Sequence, residues 1–131
     1  MQILAALFLD DLDVKPTYEG GPTHLDFKNV HFSAPAPGPV PVQVTPHLVV
    51  LVHCPEGEDG QDILEVRYLR GGEQIARNVQ PLQVESGKFN FRLVRGELDF
   101  DDYSTIEAHC RLGQGPVTVV PYTLLPPRDL R

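Results

Sequence analysis

The sequence predicts an all-β protein: an antiparallel β-sandwich of seven to eight strands with C2- or immunoglobulin-like architecture. Three observations carry that expectation. Apolar and polar residues alternate along one short window after another, so the side-chain period is two rather than 3.6. Thirteen prolines and 11 glycines in 131 residues punctuate those windows. No window carries the i, i+3, i+4, i+7 spacing of an amphipathic helix. A closed β-barrel is the alternative architecture, because the same alternation suits it. The length predicts one domain, residues 1–131, large enough to bury a core without a metal or disulfide staple.

The windows follow in order. QILAALFL, from Gln2 to Leu9, is a continuous apolar run of strand length. No Lys or Arg precedes it and acids follow it, so it reads as a buried first strand rather than a signal peptide. From Thr23 to Phe32, Leu25 and Phe27 share a face, then Val30 and Phe32 resume out of phase, predicting a bulge at Lys28 and Asn29. The stretch SAPAPGPVPVQVTP holds Pro35, Pro37, Pro39, Pro41 and Pro46 without a P-x-x-P spacing. Such a run favours extended conformation, cannot join a sheet interior, and predicts a stiff strap from one sheet to the other.

HLVVLVHC, 47 to 54, is the next strand. DILEVRYL and GGEQIARNV form a hairpin whose register the Gly71-Gly72 turn sets. KFNFRLVRG places Phe89, Phe91 and Leu93 on one face and Lys88, Asn90 and Arg92 on the other. GELDFDDYST has room for one helical turn at most. TIEAHCRL groups Ile106, Ala108, Cys110 and Leu112, and GPVTVVPYTLL carries Pro121, which predicts an edge strand or a bulge.

Charge narrows the partners. Eleven basic against 18 acidic residues give a net charge of −7, with the basic ones scattered, so neither nucleic acid nor anionic membrane is an expected partner. No apolar run reaches the ~18 residues of a membrane helix, and cytoplasmic residence is expected. The two cysteines each follow a histidine: His53-Cys54 and His109-Cys110. A Cys2His2 metal site needs four ligands on one ion, yet adjacent residues on a strand point to opposite faces. Alternation carries Cys54 and Cys110 inward as free thiols and leaves His53 and His109 outside. An immunoglobulin-type disulfide fails on its companions: there is no Trp, and Ala108 stands where the tyrosine corner needs Tyr.

Two further readings are open. Asp10, Asp11 and Asp13 after the first strand, with Asp99, Asp101 and Asp102 before the seventh, would suit a C2-like calcium or ligand site if end loops brought them together. An enzyme would have to be built on His53 or His109, although no P-loop, G-x-G-x-x-G, H-E-x-x-H or G-x-S-x-G is present. The expected function is a non-catalytic module without a cofactor, its partner another protein or a second copy of itself. Its interaction residues are His53, Glu107, His109 and Arg111, and the Pro121 strand and the first strand are the edges to pair.

The order of elements, with LVVLV-, EVRYL- and GGEQIA-like strands and a closing FDDYSTIEAHC, resembles a group of small uncharacterised bacterial β-sandwich proteins. The chain departs from that group in its YEGGPTHL turn, which lacks a Gly-Lys pair, and in Asp102 where glycine is commoner. The resemblance implies a β-sandwich across nearly the whole chain and no particular activity.

Overall fold

Two sheets share one apolar core. The computed structural model describes residues 1–128, and among them there are strands but no helix. One layer holds β1 (Gln2–Leu9), β6 (His47–His53) and β9 (Phe89–Arg95), in the antiparallel order β1-β6-β9. The other holds β4 (Ser33–Pro35), β12 (Val117–Leu125), β11 (Thr105–Leu112), β7 (Gln61–Arg70) and β8 (Glu73–Gln83), in that order. Neither closes on itself, so the sandwich forms and the barrel does not.

The alternation of the sequence explains the layering. Ala6, Phe8, Leu48, Val50 and Val52 of the first sheet meet Leu64, Val66, Tyr68, Ile106, Ala108 and Cys110 of the second in one buried cluster. Phe8 packs on Tyr122 with ring centroids 5.0 Å apart, tying the layers together beside β12. The β7–β8 hairpin turns on Gly71 (φ 57°) and Gly72 (φ 83°), with Arg70 opposite Glu73. Two successive left-handed residues suit the twist of a two-residue hairpin, and glycine adopts them without a Cβ clash.

The proline-rich strap joins the layers as its composition predicts. Ser33–Pro35 runs parallel to β12, and Val42–Val44 (β5) pairs with Leu98–Phe100 (β10) before the chain enters β6. β10 occupies the stretch that had room for a helical turn. Leu98 and Phe100 are both buried, and this two-residue period makes it a strand.

Three features depart from the local reading. The phase break at Lys28 and Asn29 is a strand end rather than a bulge. Thr23–Lys28 (β3) pairs with Asp11–Pro16 (β2) and stops, and Asn29 turns the chain at φ 56° while its Nδ2 donates to Asp10 Oδ2 at 2.6 Å. Next, Asp11 and Asp13 lie in β2 rather than in a loop. Finally, β9 turns its apolar set outward. Val94, Arg92 and Asn90 stand opposite core residues Leu48, Val50 and Val52, and Phe89 and Leu93 are exposed on the other face. The β2–β3 hairpin lies over part of that outer face: Leu25 and Phe27 line a groove of about 560 Å³ with Leu4, Leu51 and Phe89. Leu9 and Val49 are also buried, although they do not belong to the central cluster. No helix of the described residues is long and apolar enough to cross a membrane.

Candidate functional site

The two His-Cys pairs divide as strand geometry requires. Cys54 and Cys110 are free, fully buried thiols, and burial pushes the Cys110 thiol up to about 12. Their histidines face outward on different layers. His53 ends β6, opposite Gln2 and Phe89. His109 lies on β11 between Glu107 and Arg111, and its Nε2 donates to Glu107 Oε1 at 3.3 Å. The four expected interaction residues therefore split: Glu107, His109 and Arg111 form one outer face, and His53 belongs to the opposite side of the sandwich.

Beside that trio runs an incompletely paired strand. The N–H of Thr123 on β12 donates to Phe32 O at 2.9 Å, toward the edge where β4 lies. Strand period then points the N–H positions of Val117, Val119 and residue 121 to the same edge. β4 pairs only with Thr123, Leu124 and Leu125, so among the described residues the segment from Val117 to Pro121 has no ladder partner on that side. Pro121 sits where a missing N–H costs the ladder nothing. The side chains of Val117 and Val119 are 49% and 46% exposed, in register with Arg111 and His109 across β11; Pro121 is in register with Glu107.

The outer edges of β1, β9 and β8 are blunted. β1, the expected alternative, carries a register break between Ile3 and Ala5, and its Phe8 carbonyl accepts from His31 N–H at 3.0 Å. On β9, Phe91 N–H donates to Asn90 Oδ1 at 2.8 Å and Phe91 O accepts from the Arg92 guanidinium at 3.1 Å. β8 combines Pro81 with a register break beside Tyr68 and carries Arg77, which is paired to Glu65. The β12 segment has Pro121 at one end and no such device at Val117 or Val119.

A second concavity escaped the sequence. Asp10, His31, His47 and Tyr122 line a cleft of about 460 Å³. The Nδ1 of His31 contacts Asn29 O at 2.7 Å and that of His47 contacts Asp10 O at 3.1 Å, so each ring is anchored to a backbone carbonyl. Burial first, then the Asp10 carboxylate, raises the Tyr122 phenol above its ordinary range. Positions 10, 31, 47 and 122 have no motif spacing, and only the meeting of strand ends brings them together.

The aspartates hold individual partners. Asp13 pairs with Lys28 at 3.0 Å, Asp99 accepts from Gln43 at 3.1 Å, and Asp11 and Asp102 accept from the next residue's N–H at 2.8 Å. Asp10 takes Asn29, and Asp101 is exposed. Among the described residues no three His, Cys, Asp or Glu side chains are placed to hold a metal ion. No protein-family model matches this chain, and no curated protein matches it in sequence.

Proposed function

We propose that this protein is a non-catalytic interaction module whose β12 edge accepts an extended strand from another chain. The observation that carries the reading is the open run from Val117 to Pro121, with outward N–H groups at Val117 and Val119 and exposed valine side chains beside them. An incoming strand would gain ladder hydrogen bonds for affinity and use the Val117–Val119 surface for selectivity. Glu107, His109 and Arg111 stand one strand further in, within reach of the ends of an added strand's side chains.

The test is a selection of displayed peptides against the purified protein, scored by hydrogen exchange at single amides. Selected peptides are expected to alternate apolar and polar residues, to protect the Val117 and Val119 amides, and to lose at least ~10-fold affinity on Val119→Pro. That substitution removes an N–H directed away from β11, so the variant should melt within ~3 °C of the parent. Binders that leave both amides unprotected would refute the reading.

A further inference from the structure

Along β2 and β3 the alternation is strict. Leu12 stands opposite Phe27 and Val14 opposite Leu25, which puts four apolar side chains on one face of the hairpin. The other face carries charge, joined as Lys15–Asp26 at 2.7 Å and Lys28–Asp13 at 3.0 Å. The apolar face is turned to the outer side of the β1-β6-β9 sheet, where Leu25 and Phe27 share a groove with Leu4, Leu51 and Phe89. Among the described residues, the hydrogen bonds and ion pairs of 11–28 stay within the hairpin and its base at Asp10. Packing alone seats the hairpin on the sheet.

That packing is incomplete. Leu4, Val14 and Phe89 are 52%, 50% and 46% exposed, although each lines the space between the two faces. A second groove of about 570 Å³ runs between Val14, Pro22 and Leu25 of the hairpin and Lys88, Phe89 and Phe91 below. It shares Thr23, Leu25 and Phe89 with the first groove of about 560 Å³, so the two are one gap passing under the hairpin. Either volume is that of a small-ligand site. Stacked sheets lie about 10 Å apart, a distance that side chains from both faces fill. Where they fall short, the space left is about one side chain thick. An alkyl chain fits it, and a helix about 10 Å across does not.

We infer that this gap binds a single-chain amphiphile with an anionic head, a long-chain carboxylate being the simplest. The tail lies between the hairpin and the sheet, and charge sets its direction. Lys88 is the charged side chain lining the wider groove, and Asp26 stands at the opposite mouth, so the head belongs at Lys88. Lys88 Nζ meets Glu85 at 2.9 Å, but that pair is exposed on both sides and contributes little, so a ligand carboxylate exchanges with it at small cost. The hairpin is hinged at its base and can lift to admit the chain and settle on it. This site lies on the layer opposite the β12 edge and does not depend on strand pairing there.

Isothermal titration of the parent chain with laurate, kept below its micelle concentration, tests this. One saturable site with a Kd below about 100 µM is expected, and dodecyltrimethylammonium should bind at least ~10-fold more weakly. Leu4→Asp and Val14→Asp each put a charge into one of the two grooves at a half-exposed position. Both variants should melt within ~3 °C of the parent, and each should weaken laurate binding at least ~10-fold. Lys88→Gln should remove the preference between the two head groups. A parent chain without saturable laurate binding at about 1 mM overturns the site. Affinity that either aspartate leaves unchanged overturns the single continuous gap, and equal affinity of the parent for the two amphiphiles overturns the head-group assignment. Laurate should also leave the sedimentation coefficient unchanged; a dimer that laurate dissociates would make a second copy the occupant and overturn the proposal.

Discussion

Gly60 and Gly57 lie three residues apart in one connection, and alanine should fail at them for different reasons and by different amounts. A Cβ on Gly60 would stand 1.6 Å from the Val84 carbonyl oxygen and 2.7 Å from its carbon, both backbone atoms. Relief requires Val84 to move away, which breaks the Val84 N–H to Gly60 O bond of 2.7 Å, worth about 1 kcal/mol. The same movement unseats a buried valine of the core cluster, at up to ~1.5–3 kcal/mol. Alanine's smaller unfolded-state entropy returns only ~0.4–1 kcal/mol. The net loss is about 3 kcal/mol, or roughly 10 °C in melting temperature for a chain of this size. At Gly57 the space is open and φ is +88°, so Gly57→Ala costs only the left-handed strain, ~1–2 kcal/mol and about 5 °C. Thermal melts followed by circular dichroism decide it. A Gly60→Ala protein that melts within ~2 °C of the parent, or above Gly57→Ala, refutes the close-approach argument.

Alkali should destabilise the fold through groups it buries. The Cys110 thiol, ordinarily near 9.0, is held protonated to about 12, and burial likewise raises the Tyr68 phenol above its ordinary range. The native state then binds more protons than the unfolded chain between those limits, so stability is intact below pH ~9 and falls as pH rises toward 12. Urea midpoints measured against pH should show that decline, and Cys110→Ala should make it shallower. A water-borne thiol reagent at pH 8 is expected to leave Cys110 unmodified in the native protein and to label both cysteines in denaturant; rapid native labelling of Cys110 would contradict its burial. Phe8→Ala removes the ring that packs on Tyr122 and should cost ~3–5 kcal/mol by chemical denaturation, a loss below ~1 kcal/mol showing that the two layers do not depend on it. Val120→Pro, unlike its neighbour Val119→Pro, deletes an N–H directed into the β11 ladder and a buried side chain, so its melting temperature should fall by at least ~8 °C.

The sequence by itself determined what depends on neighbours along the chain. Period-two alternation, with one continuous apolar run at Gln2 to Leu9, located the eight main strand windows, and the Gly71-Gly72 pair located their tight hairpin. The same period placed Cys54 and Cys110 in the core and His53 and His109 outside, because adjacent side chains on a strand cannot share a face. Pro121 announced an interrupted edge, and the proline-rich run announced a strap.

Tertiary structure decided what depends on partners distant in the chain. Alternation groups Phe89, Phe91 and Leu93 without saying which side is the core. The β2–β3 hairpin gives that apolar set partial cover, so it can face outward while Asn90 and Arg92 lie along the inner side. Short segments such as β5 and β10 carry too little pattern to announce themselves and exist because each supplies the other's ladder. His53 parted from Glu107, His109 and Arg111 because two strands that end alike entered different sheets. The open run of β12 was equally illegible, since its extent depends on where β4 stops: an edge is a backbone without a neighbour, and only the assembled sheet shows where that neighbour is missing.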